Sequence, residues 1–224
     1  MGPPKATSLC DTSTHSVKNV ASHSLSTRTA SAQPKIIENV SVLFVDMRGY
    51  SCLASQQGTL EQHQFLHHVY SRFDSIIESH RVQRVKTNGD QYIAAAGMYA
   101  AHESRKDEIA ALRICHAAVE LLIAFNQLAK ALPFALGLRI GIASGEVVIA
   151  PIGQTSTAPD LFGLPMILAA RLEQFCQTNQ ILVCERTHLA TRSFLPSRTA
   201  IDAELKGLGR QRFFQLDLQT LMRR

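Results

Sequence analysis

Apolar residues recur along the chain with two different periods, and the change from one to the other marks the predicted elements. VSVLFVD, residues 40–46, is an apolar run of strand length that ends in an acid. Residues 59–80 carry apolar side chains every three or four positions, which is the spacing of one helix face. A second helical pattern covers about residues 106–131, and Pro133 ends it.

RVKTNGDQYIAAAG, residues 84–97, predicts a β-hairpin between these helices. Asn88-Gly89 favours a type I′ turn, because that turn needs positive φ at both central residues. With those two residues at the centre, strand alternation points Lys86 and Asp90 to opposite faces of the sheet. We therefore expect the two charges to serve two different places.

The remaining pattern completes an α+β fold. LGLRIGIASGEVVIAPIG, residues 136–153, predicts a second hairpin of two apolar strands. A polar loop, QTSTAPD, then leads to a helix at about 163–178, a strand at 180–185 and a turn with a closing strand in ELKGLGRQRFFQL. The order βαββαβ, with additions after it, predicts a ferredoxin-like core with an antiparallel sheet and helices on one face.

Length and composition indicate one globular domain after an irregular start. The chain has 224 residues, of which 46% are apolar, enough for one substantial core. Residues 1–34 are rich in Ser and Thr and lack an apolar period. We interpret them as a disordered leader or linker, with an organelle transit peptide as the second reading. The domain is then expected at residues 35–224.

Charge and cysteine usage narrow the partners and the compartment. The net charge of +5 suits an anionic ligand such as a nucleotide, whereas scattered basic residues with few aromatics disfavour a polynucleotide groove. No apolar run approaches the length that is needed to cross a bilayer, so we expect no membrane segment in this chain. Five cysteines without a C-x-x-C spacing predict reduced thiols. The expected location is cytoplasmic, either alone or as the soluble part of a membrane-associated protein.

Two acids at strand ends are candidates for a metal site. Asp46 ends the first strand and Asp90 follows the hairpin turn, so both can reach one edge of the sheet. Carboxylates that converge repel each other unless a cation lies between them, and hard oxygen ligands select Mg²⁺ or Mn²⁺. The helix start after MRGY, at Gly49, offers backbone N–H groups to an anion. For this pair alone, turn-capping roles are an equally good explanation.

Several ordered blocks resemble the catalytic domain of class III nucleotide cyclases. VSVLFVDMRGYS resembles the first metal motif of that family, and RVKTNGDQYIAAAG resembles the second metal and base-reading motif. LRIGIASGEVVIAPIG, PDLFG, AARLEQ and ELKGLG match further blocks in the family's order. The resemblance covers about residues 40–216, nearly all of the predicted domain.

The resemblance implies an activity and its metal ligands. Class III cyclases act as head-to-tail dimers with active sites at the interface. Asp46 and Asp90 match the acids that hold two Mg²⁺ or Mn²⁺ ions, with the backbone carbonyl of Met47 assisting. The ions favour ionisation of the ribose 3′-hydroxyl, which attacks the α-phosphorus and releases pyrophosphate. One chain carries both halves of a site, so the resemblance implies a homodimer.

The remaining matched residues bind substrate. Lys86 and Asp160 match the pair that reads the purine, and a donor beside an acceptor fits adenine, so ATP is the expected substrate. Arg171 matches the arginine that stabilises charge on the α-phosphate in the transition state. Lys206 matches the lysine that holds the β- and γ-phosphates. A helix-surface arginine and a solvated turn lysine are the alternatives for these last two residues.

One position departs from the family pattern and keeps two alternatives open. The family carries an asparagine, oriented toward the ribose, four residues before the transition-state arginine, and this position is Ile167. A catalytically weak or degenerate domain retained for dimerisation is therefore the main alternative to an adenylate cyclase. A diguanylate cyclase of the GGDEF type shares the core and the metal acids. However, TNGDQY departs from its signature and that reading leaves Arg171 and Lys206 unexplained.

Overall fold

The computed structural model describes residues 33–98, 106–153 and 159–221. The predicted leader, residues 1–34, lies almost wholly outside the described residues. The elements in chain order are β1 Lys35–Arg48, α1 Tyr50–Gln56, α2 Thr59–Ser79, β2 Gln83–Asn88, β3 Gln91–Ala96, α3 Lys106–Ala129, β4 Gly137–Pro151, β5 Pro159–Phe162, α4 Leu164–Phe175, β6 Gln180–Cys184, α5 Glu185–Thr191, β7 Ile201–Leu205, β8 Gly209–Gln215 and α6 Leu218–Leu221.

One sheet with the order β2-β3-β1-β4-β6-β8-β7 organises these elements, and β5 pairs with the outer part of β4. The first four strands in this order, with α2 and α3 as crossovers, form the predicted ferredoxin-like core, so the fold class is confirmed. All neighbouring strands are antiparallel except β4 and β6, which pair in parallel. That parallel pair departs from the all-antiparallel prediction.

Helices cover both faces of the sheet, which corrects the prediction of helices on one face. The first core cluster packs α2 and α3 against one face, through side chains such as Phe73, Ile114 and Leu121. The second cluster packs α4 against the other face, through Ala169 and Leu172. Alternation along β1 divides its apolar residues between the two clusters.

The second predicted hairpin is wrong, because β4 is one continuous strand of 15 residues. Gly145 in ASGEV resembled a turn residue in the sequence, yet it lies inside the strand and faces α4. A Cβ atom built on Gly145 would lie 2.8 Å from the Cγ atom of Pro165. This glycine therefore serves the close packing of a helix on the strand, which is the other common role of glycine in strands.

The hairpin between β2 and β3 is present, but its turn lies one residue later than predicted. Asn88 pairs with Gln91, so Gly89 and Asp90 are the two central residues. Only Gly89 of the three turn candidates has positive φ, at 59°. A glycine at the first central position is the pattern of a type II′ turn. The hydroxyl of Tyr70 on α2 donates to the Gly89 carbonyl at 2.8 Å and fixes the turn over that helix.

The helix α3 contains a longer apolar stretch than the sequence analysis recognised. Ile109–Ala129 is long and apolar enough to cross a membrane by length and composition, and half of it is buried within the protein. Its inward residues, among them Ala110, Ile114 and Leu121, are fully buried against the sheet. The apolar length of α3 thus matches what a helix packed on a central sheet needs.

Candidate active site

The two predicted metal acids meet at one end of the central strands. Asp46 lies near the end of β1 and pairs with Gln91 at the start of β3, so Asp90 is next to it along the chain. Burial raises the pKa of Asp90, and the negative charge of Asp46 raises it further. The strand register therefore brings the two carboxylates to the same end of the sheet.

Arg139 is the direct neighbour of Asp46 on the other side of β1, and the sequence analysis did not identify it. The register of β1 and β4 pairs these two residues, so their side chains share a face. Arg139 Nε and Nη2 donate to Asp46 Oδ2 at 3.2 and 2.6 Å. The Oδ1 atom of Asp46 accepts no hydrogen bond from the described part of the chain.

Glu173 completes this group from the helix α4 above the sheet. Arg139 Nη2 lies 2.8 Å from Glu173 Oε1, and the Glu173 side chain is only 2% exposed. Burial, followed by the charge of Asp46, raises the pKa of Glu173 to about 7, against the opposing effect of Arg139. Gly141 allows this approach, because a Cβ atom there would lie 2.2 Å from the Ala169 carbonyl oxygen on α4.

The loop after Asp46 turns tightly into α1. The Met47 side chain is buried in the first core cluster, so its backbone is the part that remains for a ligand. Gly49 has a φ of 88°, and a Cβ atom there would lie 2.6 Å from the carbonyl oxygen of Ala135. The chain therefore needs glycine at this position to start α1 at Tyr50 directly beside the acid.

Lys86 and Asp160, predicted to read the base, contact each other within one chain. Lys86 Nζ lies 2.5 Å from Asp160 Oδ2, and the two side chains are 46% and 24% exposed. The expectation that Lys86 and Asp90 point to opposite faces stays a prediction, because Asp90 lies in the turn, outside the paired residues of β2 and β3. Lys86 pairs with Ile93, which pairs with Phe44, and Asp46 follows two residues later on that same face. Asp90 itself belongs to the turn.

Arg171 and Lys206 also lie together, on the far side of α4. Arg171 Nε donates to the Lys206 carbonyl at 3.0 Å, and Arg171 Nη1 donates to Gln174 Oε1 at 2.9 Å. Lys206 belongs to the turn between β7 and β8. Ile167, one helical turn before Arg171, is 50% exposed, so nothing in the core requires an apolar residue there.

The predicted site residues thus form three groups: the metal acids, the Lys86–Asp160 pair and the Arg171–Lys206 pair. Within the described ranges, no hydrogen bond or ion pair joins the metal acids to either of the other groups. Arg139 and Glu173 are the members that sequence reasoning missed. A lone arginine in the apolar run LRIGIA was the available signal, because a partly buried arginine in a strand requires an acid nearby.

The donor set suits a hard divalent cation. Two mutually repelling carboxylates, a free Asp46 oxygen and a nearby backbone carbonyl are the ligands that Mg²⁺ and Mn²⁺ prefer. In the structure, the positively charged guanidinium of Arg139 lies beside Asp46, where a cation would otherwise bind. No group of three or more His, Cys, Asp or Glu side chains with metal-ligand spacing occurs in the described residues.

Comparison with known sequences gives one consistent family. The sequence model of the adenylate and guanylate cyclase catalytic domain matches residues 32–217. Guanylate cyclase 2G of Mus musculus is 32% identical over 191 residues, covering 83% of this chain and 17% of the mouse protein. An adenylate cyclase of Mycobacterium tuberculosis is 27% identical over 179 residues, covering 80% of this chain and 39% of that protein. The chain therefore spans a minor part of these relatives.

Solved structures give the same fold. The catalytic core of a rhodopsin-guanylyl cyclase with converted specificity, in complex with ATPαS, has a TM-score of 0.72 and 23% identity. The match covers 83% of this chain and 98% of that structure. The adenylyl cyclase CyaB from P. aeruginosa has a TM-score of 0.71 and 20% identity, covering 83% of this chain and 96% of that structure. The similar proteins thus include both guanylate and adenylate cyclases.

Proposed function

Since this chain belongs to the family of adenylate and guanylate cyclase catalytic domains, we propose that it is an adenylate cyclase. It converts ATP to 3′,5′-cyclic AMP and pyrophosphate. The observation that carries this proposal is the Lys86–Asp160 pair, because the comparisons include cyclases of both nucleotide specificities. Membership of this family also separates the chain from the diguanylate cyclases, which share the ferredoxin-like core.

The base preference follows from the chemistry of the Lys86–Asp160 pair. The ammonium is a hydrogen-bond donor only and the carboxylate is an acceptor only. Adenine presents an acceptor, N1, beside a donor, the N6 amino group, whereas guanine presents O6 and N1–H in the opposite order. An exposed ion pair is worth about 0–1 kcal/mol, so the two groups can separate to bind a base.

The metal acids define where the triphosphate and the 3′-hydroxyl would lie. Asp46, Asp90 and the Met47 carbonyl would hold two Mg²⁺ or Mn²⁺ ions. Bound there, the ions would favour ionisation of the 3′-hydroxyl and neutralise phosphate charge. Gly49 and the start of α1 would bring backbone N–H groups toward the phosphates. The 3′-oxygen then attacks the α-phosphorus in line, and pyrophosphate leaves.

Arg171 and Lys206 would complete the site from the second protomer. Arg171 would bind the α-phosphate oxygens as charge builds on them, and Lys206 would bind the β- and γ-phosphates. Within the described part of one chain, these residues make no hydrogen bond or ion pair with the metal acids, and this arrangement supports a head-to-tail homodimer. In such a dimer one protomer gives the acids, and its partner gives Lys86, Asp160, Arg171 and Lys206.

The experiment that tests catalysis is direct product analysis. Purified protein is incubated with ATP and Mn²⁺, and cyclic AMP and pyrophosphate are quantified by chromatography. We expect both products in equal amounts and no product from the Asp46→Asn variant, because that variant lacks one metal ligand. Intact dimers without any product would contradict the proposal.

A second candidate function is favoured by Ile167. This residue stands where the family carries the ribose-orienting asparagine, and its side chain can donate no hydrogen bond. A domain retained for dimerisation would bind nucleotide without turnover, or not bind it. The sequence keeps all six charged residues that the family motifs call for, so the working enzyme is the better-supported function. These residues are Asp46, Asp90, Lys86, Asp160, Arg171 and Lys206.

A further inference from the structure

One guanidinium is shared by two carboxylates at the metal end of the site. The same atom, Arg139 Nη2, lies 2.6 Å from Asp46 Oδ2 and 2.8 Å from Glu173 Oε1. Asp46 is a predicted metal ligand, whereas Glu173 takes no part in the proposed chemistry. Glu173 is thus a buried acid that contacts Arg139 on the side opposite to Asp46.

The arginine and a divalent cation compete for Asp46. In the arrangement described, both hydrogen bonds from Arg139 go to Asp46 Oδ2. A cation that binds this carboxylate must displace the guanidinium. Its net binding free energy is therefore its own attraction to Asp46 less the attraction that Arg139 loses. The strength of that competition depends on how far the charge of Arg139 is neutralised by another acid.

Glu173 is the acid that neutralises it, and it is held in place more firmly than Asp46. The Glu173 side chain is 2% exposed. Gly141, which has no side chain, lets α4 lie directly against β4. Among the described residues no group donates a hydrogen bond of good geometry to Glu173 Oε1, so the ion pair with Arg139 is the interaction that stabilises this oxygen. Arg139 cannot leave Glu173 without stranding a buried charge, which is strongly unfavourable. Asp46, by contrast, is 19% exposed and keeps a free oxygen.

We propose that Glu173 is a positioning residue that keeps Arg139 beside Asp46 and shares its charge, so that Asp46 can exchange the guanidinium for a divalent cation. This inference rests on the proposed role of Asp46 as a metal ligand. Without the Glu173 charge, Arg139 binds Asp46 alone and competes more strongly with the ion. Without Arg139, no guanidinium competes with the ion for Asp46. The charge of Glu173 then no longer affects metal binding through the arginine.

The test is a titration of nucleotide-free protein with Mn²⁺ at pH 8, where Glu173 is ionised, with free Mn²⁺ measured by electron paramagnetic resonance. Glu173→Gln keeps the size of the side chain and removes its charge. We expect this variant to bind Mn²⁺ about threefold to tenfold more weakly, the coupling typical of residues in one ion-pair network. Arg139→Met should bind Mn²⁺ more tightly by a similar factor.

The double variant decides between positioning and a general charge effect. In the Arg139→Met background, Glu173→Gln should change Mn²⁺ affinity by less than about twofold, because Arg139 carries the effect. An equal weakening with and without Arg139 would mean that Glu173 acts only as a nearby negative charge. Unchanged affinity in folded Glu173→Gln would mean a purely structural role. Either result overturns the inference.

Controls separate this inference from folding and from the proposed function. Asp202→Asn removes the acid of another arginine–carboxylate pair, with Arg212, and should leave Mn²⁺ affinity unchanged. Thermal unfolding of each variant reports its folding, and Glu173→Asp, which keeps the charge, should recover part of the affinity. Equal Mn²⁺ binding by the wild type and Asp46→Asn would refute the metal ligand itself. Binding through Asp46 without the predicted coupling would refute the role of Glu173 alone.

Discussion

At the scale of single residues, the charges of the site fall into an exposed, exchangeable pair and a buried, fixed group. Lys86 and Asp160 are partly exposed, so a ligand can separate them at little cost in free energy. Arg139 and Glu173 hold each other between a strand and a helix, and the Glu173 side chain is only 2% exposed. We infer that substrate specificity lies in the first pair and site geometry in the second.

Ile167 gives a prediction about rate. Ile167→Asn restores a polar group on the exposed side of α4, one helical turn before Arg171. We expect kcat with ATP to rise by about tenfold, since one preorganised polar contact is commonly worth that much or more. The matched control is Leu164→Asn, another exposed apolar residue of α4, which should leave kcat unchanged. An unchanged kcat for Ile167→Asn would show that another group orients the ribose.

Glu173 gives a prediction about stability and pH. Burial raises its pKa from 4.5 to about 7 in the folded protein. The folded state therefore binds the Glu173 proton more tightly than the unfolded state does. The resulting contribution to the free energy of unfolding is complete below about pH 4.5 and is lost as the pH rises through 7. In metal-free buffer, the wild type should lose up to about 3 kcal/mol of unfolding free energy relative to Glu173→Gln between pH 5 and pH 8.

Urea unfolding of both proteins at several pH values measures this difference. Glu146→Gln, at an exposed position of β4, should follow the wild type across the range. A constant difference between the wild type and Glu173→Gln at every pH would contradict the raised pKa.

At the scale of elements, the periodic segments were predictable and the contacts between them were not. The helical spacing placed α2 and α3 within two residues of their observed ends. The apolar run at 136–153 was divided wrongly, because Gly145 serves packing against Pro165 rather than a turn. The hairpin turn lies one residue later than predicted, and its Gly89 carbonyl accepts a hydrogen bond from Tyr70, which is distant in sequence. Arg139 was not predicted as a site residue, because the strand register that pairs it with Asp46 joins residues distant in sequence.

The link between β1 and α1 gives a prediction about one element. Gly49→Ala places a Cβ atom 2.6 Å from the Ala135 carbonyl oxygen at a φ of 88°. We expect a loss of about 2–4 kcal/mol in unfolding free energy, from the combined backbone strain and steric clash. Activity should also fall, because the start of α1 moves relative to Asp46.

Gly153→Ala is the matched control for this change. Gly153 has a similar φ of 76°, but a Cβ atom there meets no atom of the described residues within 4 Å. It should cost only the backbone term, about 1–2 kcal/mol. Equal destabilisation by the two variants in chemical denaturation would show that the contact with Ala135 carries no weight.

At the scale of the whole molecule, the proposed dimer places each site between two copies of the chain. Within the described residues of one protomer, no hydrogen bond or ion pair joins the metal acids to the Lys86–Asp160 pair or to the Arg171–Lys206 pair. Asp46→Ala and Lys86→Ala should therefore each be inactive alone. Mixed in equal amounts they should recover about a quarter of wild-type activity, because half of randomly formed two-fold dimers contain one intact site.

Activity of the mixture is read after exchange of subunits, with mixed dimers confirmed by differently tagged chains. The double variant Asp46→Ala/Lys86→Ala mixed with the wild type serves as the control, since such mixed dimers carry no intact site. Confirmed mixed dimers without recovered activity would contradict a site shared between protomers.

The most direct test of the adenylate cyclase assignment is the ratio of kcat/KM for ATP to that for GTP in the wild-type protein, with Mn²⁺ and with Mg²⁺. The Lys86–Asp160 pair predicts cyclic AMP as the product and a preference for ATP of about fivefold or more, since one mismatched pair of base-reading contacts costs ~1–3 kcal/mol. Equal use of both nucleotides, or a preference for GTP, would contradict the assignment and leave Lys86 and Asp160 without a role in reading the base.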